Sequence, residues 1–451
     1  MLTFLTPILH LSPQKIGLLS SMHTHWSGSN PGRKNNIPSF AIWVKMLFCI
    51  FYFSNFSYAQ EKIAKQDLSD VIKQVLKKKY DSAQTPKKPG IPILPSIGYN
   101  PSLGVVIGAK SVTSFQVGTA ENTTASVIGV EALYTSKNIA TLQARHNIFL
   151  PNNVLNFQGN WQLSRFGIVD FGIGAGNARN GGETFNLDEF PTVIGDSAFP
   201  IAFNYFRLQE KVFLQVAPHF FVGGGISINL HSKITDEKLS PTFSTPHFLY
   251  SVRNNYSPSA YNANGILFSL QYATREHPIR SYGGVYAELT LGSNTRWLGS
   301  THRATQLQYD FRKYWSLSKQ RPDKVLAVWH WASYMLSGSV PYLDLPGTGS
   351  DAYYRMGRGY TISRVKGPSY AYFETEYRFP ITANHLLSGV CFVNLQTASD
   401  DLGKKIFQYW EPAAGTGLRI LFQKQSRSTI CIDFAKGRGS SGIFFGLNEA
   451  F

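Results

Sequence analysis

Apolar and polar residues alternate over most of the chain beyond residue 90, and this period of two limits what the chain can fold into. Residues 155–164 (LNFQGNWQLS) place an apolar or small residue at each odd position and a polar one at each even position. Residues 142–148 alternate similarly, and Pro151-Asn152-Asn153 lies between the two segments. This arrangement predicts an antiparallel hairpin that is apolar on one face and polar on the other. The alternation recurs in residues 266–272, 306–312, 373–379 and 430–434.

The length and composition of these segments favour a membrane-spanning barrel over a soluble β-sandwich. They approach the roughly 9–11 residues that a tilted strand needs to cross a bilayer, and their apolar face is rich in aromatic residues. Charged residues make up only 16% of the chain, whereas soluble proteins carry about 25%. The mean hydropathy is only −0.14, because lipid-facing and lumen-facing residues cancel. We predict an all-β fold, a transmembrane antiparallel β-barrel over residues 91–451, with no helix inside it that could cover a sheet face.

The charge, histidine and cysteine patterns argue against nucleic-acid binding and against a metal or cofactor site. The chain carries 43 Lys and Arg against 27 Asp and Glu, a formal net charge of +16. No nucleic-acid partner is expected, because these basic residues are scattered through strand segments without a recognition motif. The eleven His and the cysteines show no metal-ligand spacing, so we expect no metal and no cofactor. Cys391 and Cys431 are interpreted as small apolar strand residues, with a cross-strand disulfide left open.

Residues 1–59 are predicted to be a leader. Residues 47–53 (LFCIFYF) form a strong apolar run that is too short to span a membrane, and Ser57-Tyr58-Ala59 follows with a small-x-small pattern. This is the layout of a secretory signal peptide, cleaved after Ala59. Residues 1–43 do not fit an export signal, so we predict that translation starts at Val44, read from a GTG codon.

Residues 60–90 are predicted to form a short basic helix and a Pro-rich linker. Apolar positions at near-helical spacing predict the helix over residues 61–80, and Pro86 to Gly90 break it. Two interpretations stay open: a periplasmic arm or lumen plug, and a weakly ordered linker. The segment is too short for a folded periplasmic domain.

The last residues, 442–451 (GIFFGLNEAF), predict a final strand that runs to Phe451. A barrel pairs its last strand with its first, because an open edge in lipid leaves backbone groups unsatisfied. A terminal aromatic strand is also the signal by which the barrel-assembly machinery recognises outer-membrane barrels. Phe444, Gly446 and Phe451 fit that signal, although Glu449 stands where an aromatic residue is usual.

Residues 353–381 (YYRMGRGYTISRVKGPSYAYFETEYRFPI) resemble the barrel of the BamA/TamA superfamily, the bacterial surface antigen family. That barrel carries an Arg-Gly-aromatic tip on a long extracellular loop that folds back into the lumen, and Arg358-Gly359-Tyr360 matches this tip. Other segments resemble further parts of the same barrel in the same order: residues 97–104, 271–278, 417–419 and 432–435. The resemblance implies sixteen strands and an integral location in a Gram-negative outer membrane.

The resemblance also implies partners for the loop arginine. In the family the Arg meets a Phe-x-Asp motif, and the matching place here is Phe392-Val393-Asn394, so an amide replaces the carboxylate. A hydrogen bond without the opposing charge is weaker. Glu374 and Glu376 are therefore candidates to supply that charge. The alternative interpretation is that Arg358 only ties down a long loop and occludes the pore.

Several functions are compatible with these patterns. The resemblance implies insertion or translocation of other proteins, although the family gathers substrates with periplasmic POTRA domains, for which residues 60–90 leave no room. The alternatives are a passive channel, a structural or anchoring barrel and, less favoured, a barrel lipase. No GxSxG motif is present, and paired acids such as Glu374 and Glu376 at strand spacing indicate a polar lumen, so no enzymatic activity is expected. Expected partners are outer-membrane lipid, the barrel-assembly machinery, and periplasmic or outer-membrane proteins.

Overall fold

The computed structural model describes residues 65–75, 93–100, 104–119, 123–176, 198–400, 405–424 and 426–451, all within the compact unit Lys62–Phe451. The predicted leader, its cleavage site and the Pro-rich linker lie outside the described residues. The described elements are α1 (Leu68–Val75), β1 (Ile93–Asn100), β2 (Gly104–Phe115), β3 (Ser126–Thr135), β4 (Ala140–Phe149), β5 (Leu155–Asp170), β6 (Phe199–Ala217), β7 (Phe220–Asp236), α2 (Pro246–Arg253), β8 (Tyr261–Asn262), β9 (Gly265–Ala273), β10 (Gly284–Asn294), β11 (Ala304–Ser316), β12 (Val325–Gly338), β13 (Tyr370–Pro380), β14 (Leu387–Ala398), β15 (Glu411–Gln423), β16 (Ser428–Gly437) and β17 (Ser440–Leu447).

The strands form one antiparallel sheet in which each strand pairs with the next along the chain. β8 is only two residues long and pairs with β7, as β9 also does, so the seventeen described segments occupy sixteen positions across the sheet. The all-β prediction is confirmed, and so is the strand number that the resemblance implied.

The predicted alternation separates the two faces of this sheet. On β13 the side chains of Tyr372, Glu374 and Glu376 are buried, whereas Thr375 between them is exposed. The opposite face carries large exposed apolar residues on strands from all parts of the chain, among them Leu163, Phe268 and Phe445. Such a surface suits lipid, and the polar face encloses the interior.

The two ends of the sheet differ in their connections. One end carries long segments, such as those between β7 and β8 and between β12 and β13, and the other end carries short turns. Outer-membrane barrels place the long loops outside the cell and the short turns in the periplasm. α1 lies at the short-turn end, where Gln66 bonds to Asn384 and Asp70 pairs with Lys424 at 2.9 Å. Neither described helix has the length and apolar character needed to cross a membrane.

α2 is a helix within the strand region that the sequence analysis did not predict. Thr245 caps its first turn by accepting a hydrogen bond from the amide of Phe248, and Pro246 occupies the first helical position. The helix packs at the long-loop end, where the hydroxyl of Tyr250 donates to the carbonyl of Val340 at 2.8 Å. α2 therefore anchors the start of the long segment between β12 and β13, and its Leu249 packs in one apolar cluster with inward residues of β5 and β6.

β17 ends at Leu447, so the prediction of a last strand running to Phe451 is wrong. Asn448 adopts a left-handed conformation with φ of 72°, and its amide donates to the carbonyl of Thr429. This turn directs the final residues away from the strand. Among the described residues β1 pairs with β2 and β17 pairs with β16, and the pairing of the first strand with the last stays a prediction.

The packing of the loops at the long-loop end predicts a dependence of stability on pH. Burial raises the pKa of Asp344 to about 7, and its Oδ2 lies 3.5 Å from Nδ1 of His231. A raised pKa in the folded state contributes stability that is complete below the unfolded value of about 3.9 and is lost as pH rises through about 7. The unfolding temperature of the parent should therefore fall relative to that of Asp344→Asn between pH 5 and pH 8, measured on semi-native gels. Parallel curves for the two proteins would contradict this assignment.

Candidate functional site

The long segment between β12 and β13 folds back so that its tip is buried. Asp351 organises the approach to the tip by accepting hydrogen bonds from the amides of Tyr353, Arg355 and Met356 at 2.7–3.0 Å. Gly359 has a φ of 104°, and a Cβ at this position would lie 2.8 Å from the Cβ of Ala413. Only glycine fits both the conformation and the space, which explains the middle residue of the Arg-Gly-Tyr tip.

Arg358 is 3% exposed and is surrounded by three carboxylates. Its Nη1 lies 2.7 Å from Oδ2 of Asp433 on β16, and its Nη2 contacts both Glu374 and Glu376 on β13. A guanidinium offers five donors in a rigid fork, so one side chain can serve several acceptors at once. These four residues are called the Arg358 cluster below.

β14 supplies two further contacts to the loop arginine. The guanidinium stacks over the ring of Phe392 at 3.5 Å from its centroid. The side-chain nitrogen of Asn394 donates to the main-chain carbonyl of Arg358 at 2.9 Å. The structure thus brings all four predicted partner positions to Arg358, but Asn394 holds the backbone of the loop and not the guanidinium. Asp433 supplies the carboxylate that Asn394 lacks.

Three more arginines extend the cluster towards the short-turn end. Arg378 donates to Glu376 at 2.6 Å, Arg419 bridges Asp433 and Glu449, and Arg280 lies 3.0 Å from Glu449. With Arg358 this makes four guanidinium groups and four carboxylates, Glu374, Glu376, Asp433 and Glu449. Buried charges are tolerated when they are paired, and here every charge in the network has an opposite neighbour.

The residues after β17 are part of this interior. Arg355, on the same loop as the tip, donates to the carbonyls of Leu447, Asn448 and Glu449. The ring of Phe451 packs against Trp329 at 5.2 Å between centroids. One loop therefore holds both the Arg358 cluster and the inward-turned segment Asn448–Phe451, called the tail below.

Tyr360 anchors the other side of the tip. Its hydroxyl donates to the carbonyl of Pro412 at 2.7 Å and accepts a hydrogen bond from the amide of Arg438 at 2.8 Å. Its ring lies against Gly437, where a Cβ would approach to 2.3 Å. The tip thus bridges β13 through Arg358 and the β15–β16 pair through Tyr360.

The residues predicted as an insertion signal all face inward. Phe444 packs against Val390 and Phe392, Gly446 lies beside Arg355, and Phe451 packs on Trp329. The aromatic residue of this segment that faces lipid is Phe445, which is 62% exposed. Their role as a recognition signal stays a prediction.

Sequence reasoning missed Asp433, Glu449, Arg419 and Arg355 as parts of the site. A signal existed for Asp433, which is the polar member of the alternating segment 430–434. Glu449 was noticed only as a departure from the usual aromatic, and its burial beside two arginines gives that departure a physical reason.

The model of the Omp85 superfamily domain matches residues 226–451, which are 226 of the 451 residues and thus half of the chain. The chain belongs to the Omp85 superfamily. This confirms the resemblance and makes the protein an integral outer-membrane β-barrel. A search of the curated proteins gives no match to this chain.

Solved structures that match this chain include a BamA and two CdiB proteins. BamA from Haemophilus ducreyi lacking POTRA domains 1–3 is 13% identical over 79% of this chain and 69% of that chain, with a TM-score of 0.47. CdiB from Acinetobacter baumannii is 11% identical over 79% of this chain and 58% of that one, with a TM-score of 0.47. CdiB from Escherichia coli is 9% identical over 80% of this chain and 62% of that one, with a TM-score of 0.48. This Omp85 barrel therefore spans less than two thirds of either CdiB chain.

Removing the loop arginine should destabilise this Omp85 barrel strongly. Arg358→Ala leaves the carboxylates of Glu374, Glu376 and Asp433 buried without their shared cation, and breaking a buried ion pair costs about 3–5 kcal/mol. The expected result is a lower temperature for loss of the folded band on semi-native gels. Arg438→Ala is the matched control, because that side chain is largely exposed and its pair with Glu411 at 3.9 Å is worth little. Equal shifts for the two variants would show that the cluster contributes no special stability.

Placing a carboxylate at position 394 on β14, as the resemblance to the family implies, should also destabilise the folded barrel. In Asn394→Asp the side chain loses the donor that bonds the carbonyl of Arg358 and opposes that oxygen with another acceptor. We expect a loss of about 1–3 kcal/mol in the free energy of unfolding, larger than that of Asn394→Ala, which adds no charge. A more stable Asp variant would mean that the guanidinium turns to β14 when a carboxylate is offered there.

Proposed function

We propose that this Omp85 barrel inserts or translocates other proteins at the outer membrane, with the Arg358-Gly359-Tyr360 loop closing the lumen. The observation that carries the proposal is the short last strand, because the chain turns inward after Leu447 and Arg355 holds the carbonyls that follow. A last strand that stops early leaves less backbone for pairing across the edge of the sheet, and unpaired backbone groups in lipid favour pairing with a strand from another chain.

The tail supports this proposal. Arg355 occupies the carbonyls of Leu447, Asn448 and Glu449 and so competes with strand pairing at the end of β17. Arg378 adds a hydrogen bond to the main-chain oxygen of Phe451 at 2.8 Å. The loop that closes the lumen thereby also keeps the last strand short. Release of the loop would open the lumen and free the end of β17 for pairing.

The partners that this function requires are outer-membrane lipid, the barrel-assembly machinery for the protein's own insertion, and periplasmic or outer-membrane proteins as substrates or helpers. α1 offers one contact point for a periplasmic partner, because it lies at the short-turn end beside Asn384 and Lys424.

A passive channel is the competing function, and planar-bilayer conductance separates the two. The mature protein should pass small, flickering current, because the loop fills the lumen, and Arg358→Ala should pass a larger one. Arg438→Ala should behave like the parent. Large, steady current in all three proteins would favour the passive channel.

An insertion assay tests the activity itself. Proteoliposomes that contain the barrel should accelerate the folding of an unfolded eight-stranded outer-membrane protein relative to empty liposomes. A closed pore together with no acceleration would leave a structural or anchoring barrel as the better description.

A further inference from the structure

The long-loop end carries a basic pocket that the proposed function does not use. It has a volume of about 590 Å³ and lies where the end of α2, the β10–β11 connection and the end of β12 meet. Its lining residues are Asn254, Asn255, Arg296, His302, Arg303, Gly338 and Ser339. The lining contains three side chains that carry or can carry positive charge and no acid.

Arg296 and Arg303 differ from the other described arginines. Both are exposed, and they are the two arginines in the described part of the chain with no side-chain hydrogen bond, ion pair or ring contact. Elsewhere arginines are satisfied by carboxylates, amides, carbonyls or aromatic rings. Two neighbouring guanidinium groups without an acceptor form a site for an external anion.

Hydrogen bonds and a ring contact join the walls of the pocket. The ring nitrogen Nε2 of His302 lies 2.9 Å from the carbonyl oxygen of Asn255, and its ring packs edge-on against Tyr256. The carbonyls of Tyr250 and Val252 near the end of α2 already accept hydrogen bonds, from Asn254 and Asn255 respectively. These two acceptors of the helix end are therefore not free to oppose an incoming anion.

The neighbouring residues place this pocket at the membrane surface. Trp297, between the two arginines, is 73% exposed, and exposed Trp is typical of the interface between lipid tails and headgroups. Below it on the same hairpin, Leu291 is part of the lipid-facing surface, and Leu336 is exposed on β12 two residues before Gly338. The two guanidinium groups thus lie just beyond the lipid-facing apolar residues, at the long-loop side.

We propose that this pocket binds a phosphate-bearing ligand, the phosphorylated sugar headgroup of the glycolipid in the outer leaflet of the outer membrane. The planar fork of arginine matches phosphate oxygens bidentately, and the amides of Asn254 and Asn255 suit sugar hydroxyls. Trp297 packs beside the acyl chains of the same lipid. The barrel is thereby held in the outer leaflet by a specific lipid contact as well as by its apolar surface.

The test measures binding of full-length mature protein in detergent to bis-phosphorylated lipid A and to dephosphorylated lipid A. The parent should prefer the phosphorylated form, and the variant R296Q/R303Q should bind it at least about tenfold more weakly, because two charge-assisted contacts are lost. K233Q/K238Q is the matched control: it removes the same charge from exposed positions at the same end, outside the pocket, and should bind like the parent.

Three results would overturn the proposal. The first is equal binding by the parent and R296Q/R303Q. The second is an equal loss of lipid A binding in K233Q/K238Q, which would show that binding depends only on net charge. The third is binding of inorganic phosphate as tight as that of lipid A, which would make the ligand free phosphate. R296Q/R303Q should keep its folded band on semi-native gels, which would show that its weaker binding is not caused by unfolding.

Discussion

The interior depends on one guanidinium shared by three carboxylates. Without Arg358, Glu374, Glu376 and Asp433 would lose the cation that they share, and the tip of the long loop would lose its ion pairs. Buried ion pairs contribute little net stability but are costly to break, so their effect is to select one arrangement among many. Here the selected arrangement brings the loop tip to β13 and β16 together.

The same loop also controls the end of the chain. Arg355 lies three residues before Arg358 and holds the carbonyls that follow β17, while Glu449 in the tail is paired with arginines from β15 and from the β9–β10 connection. The lumen loop and the tail are therefore parts of one polar network. Arg355 and Arg358 thus join the loop tip and the residues after β17 through direct contacts.

Arginine has different partners in the interior of the barrel and at its long-loop end. Around the Arg358 cluster each of the four guanidinium groups is matched by an acid. At the long-loop end Arg296 and Arg303 carry no partner among the described residues and lie beside an exposed Trp297. This contrast separates charges that hold the fold from charges that are available to bind another molecule.

The sequence by itself determined the strands, their faces and the family. Alternation is a local property, because side chains of successive strand residues point to opposite sides whatever the strand pairs with. It correctly assigned Glu374 and Glu376 to the interior, and the Arg-Gly-Tyr tip indicated the family. The tertiary structure alone decided which inward side chains meet. Asp433 reaches Arg358 only through the register of β15 with β16, and the tail enters the lumen only because Asn448 takes a left-handed turn that a strand pattern does not encode.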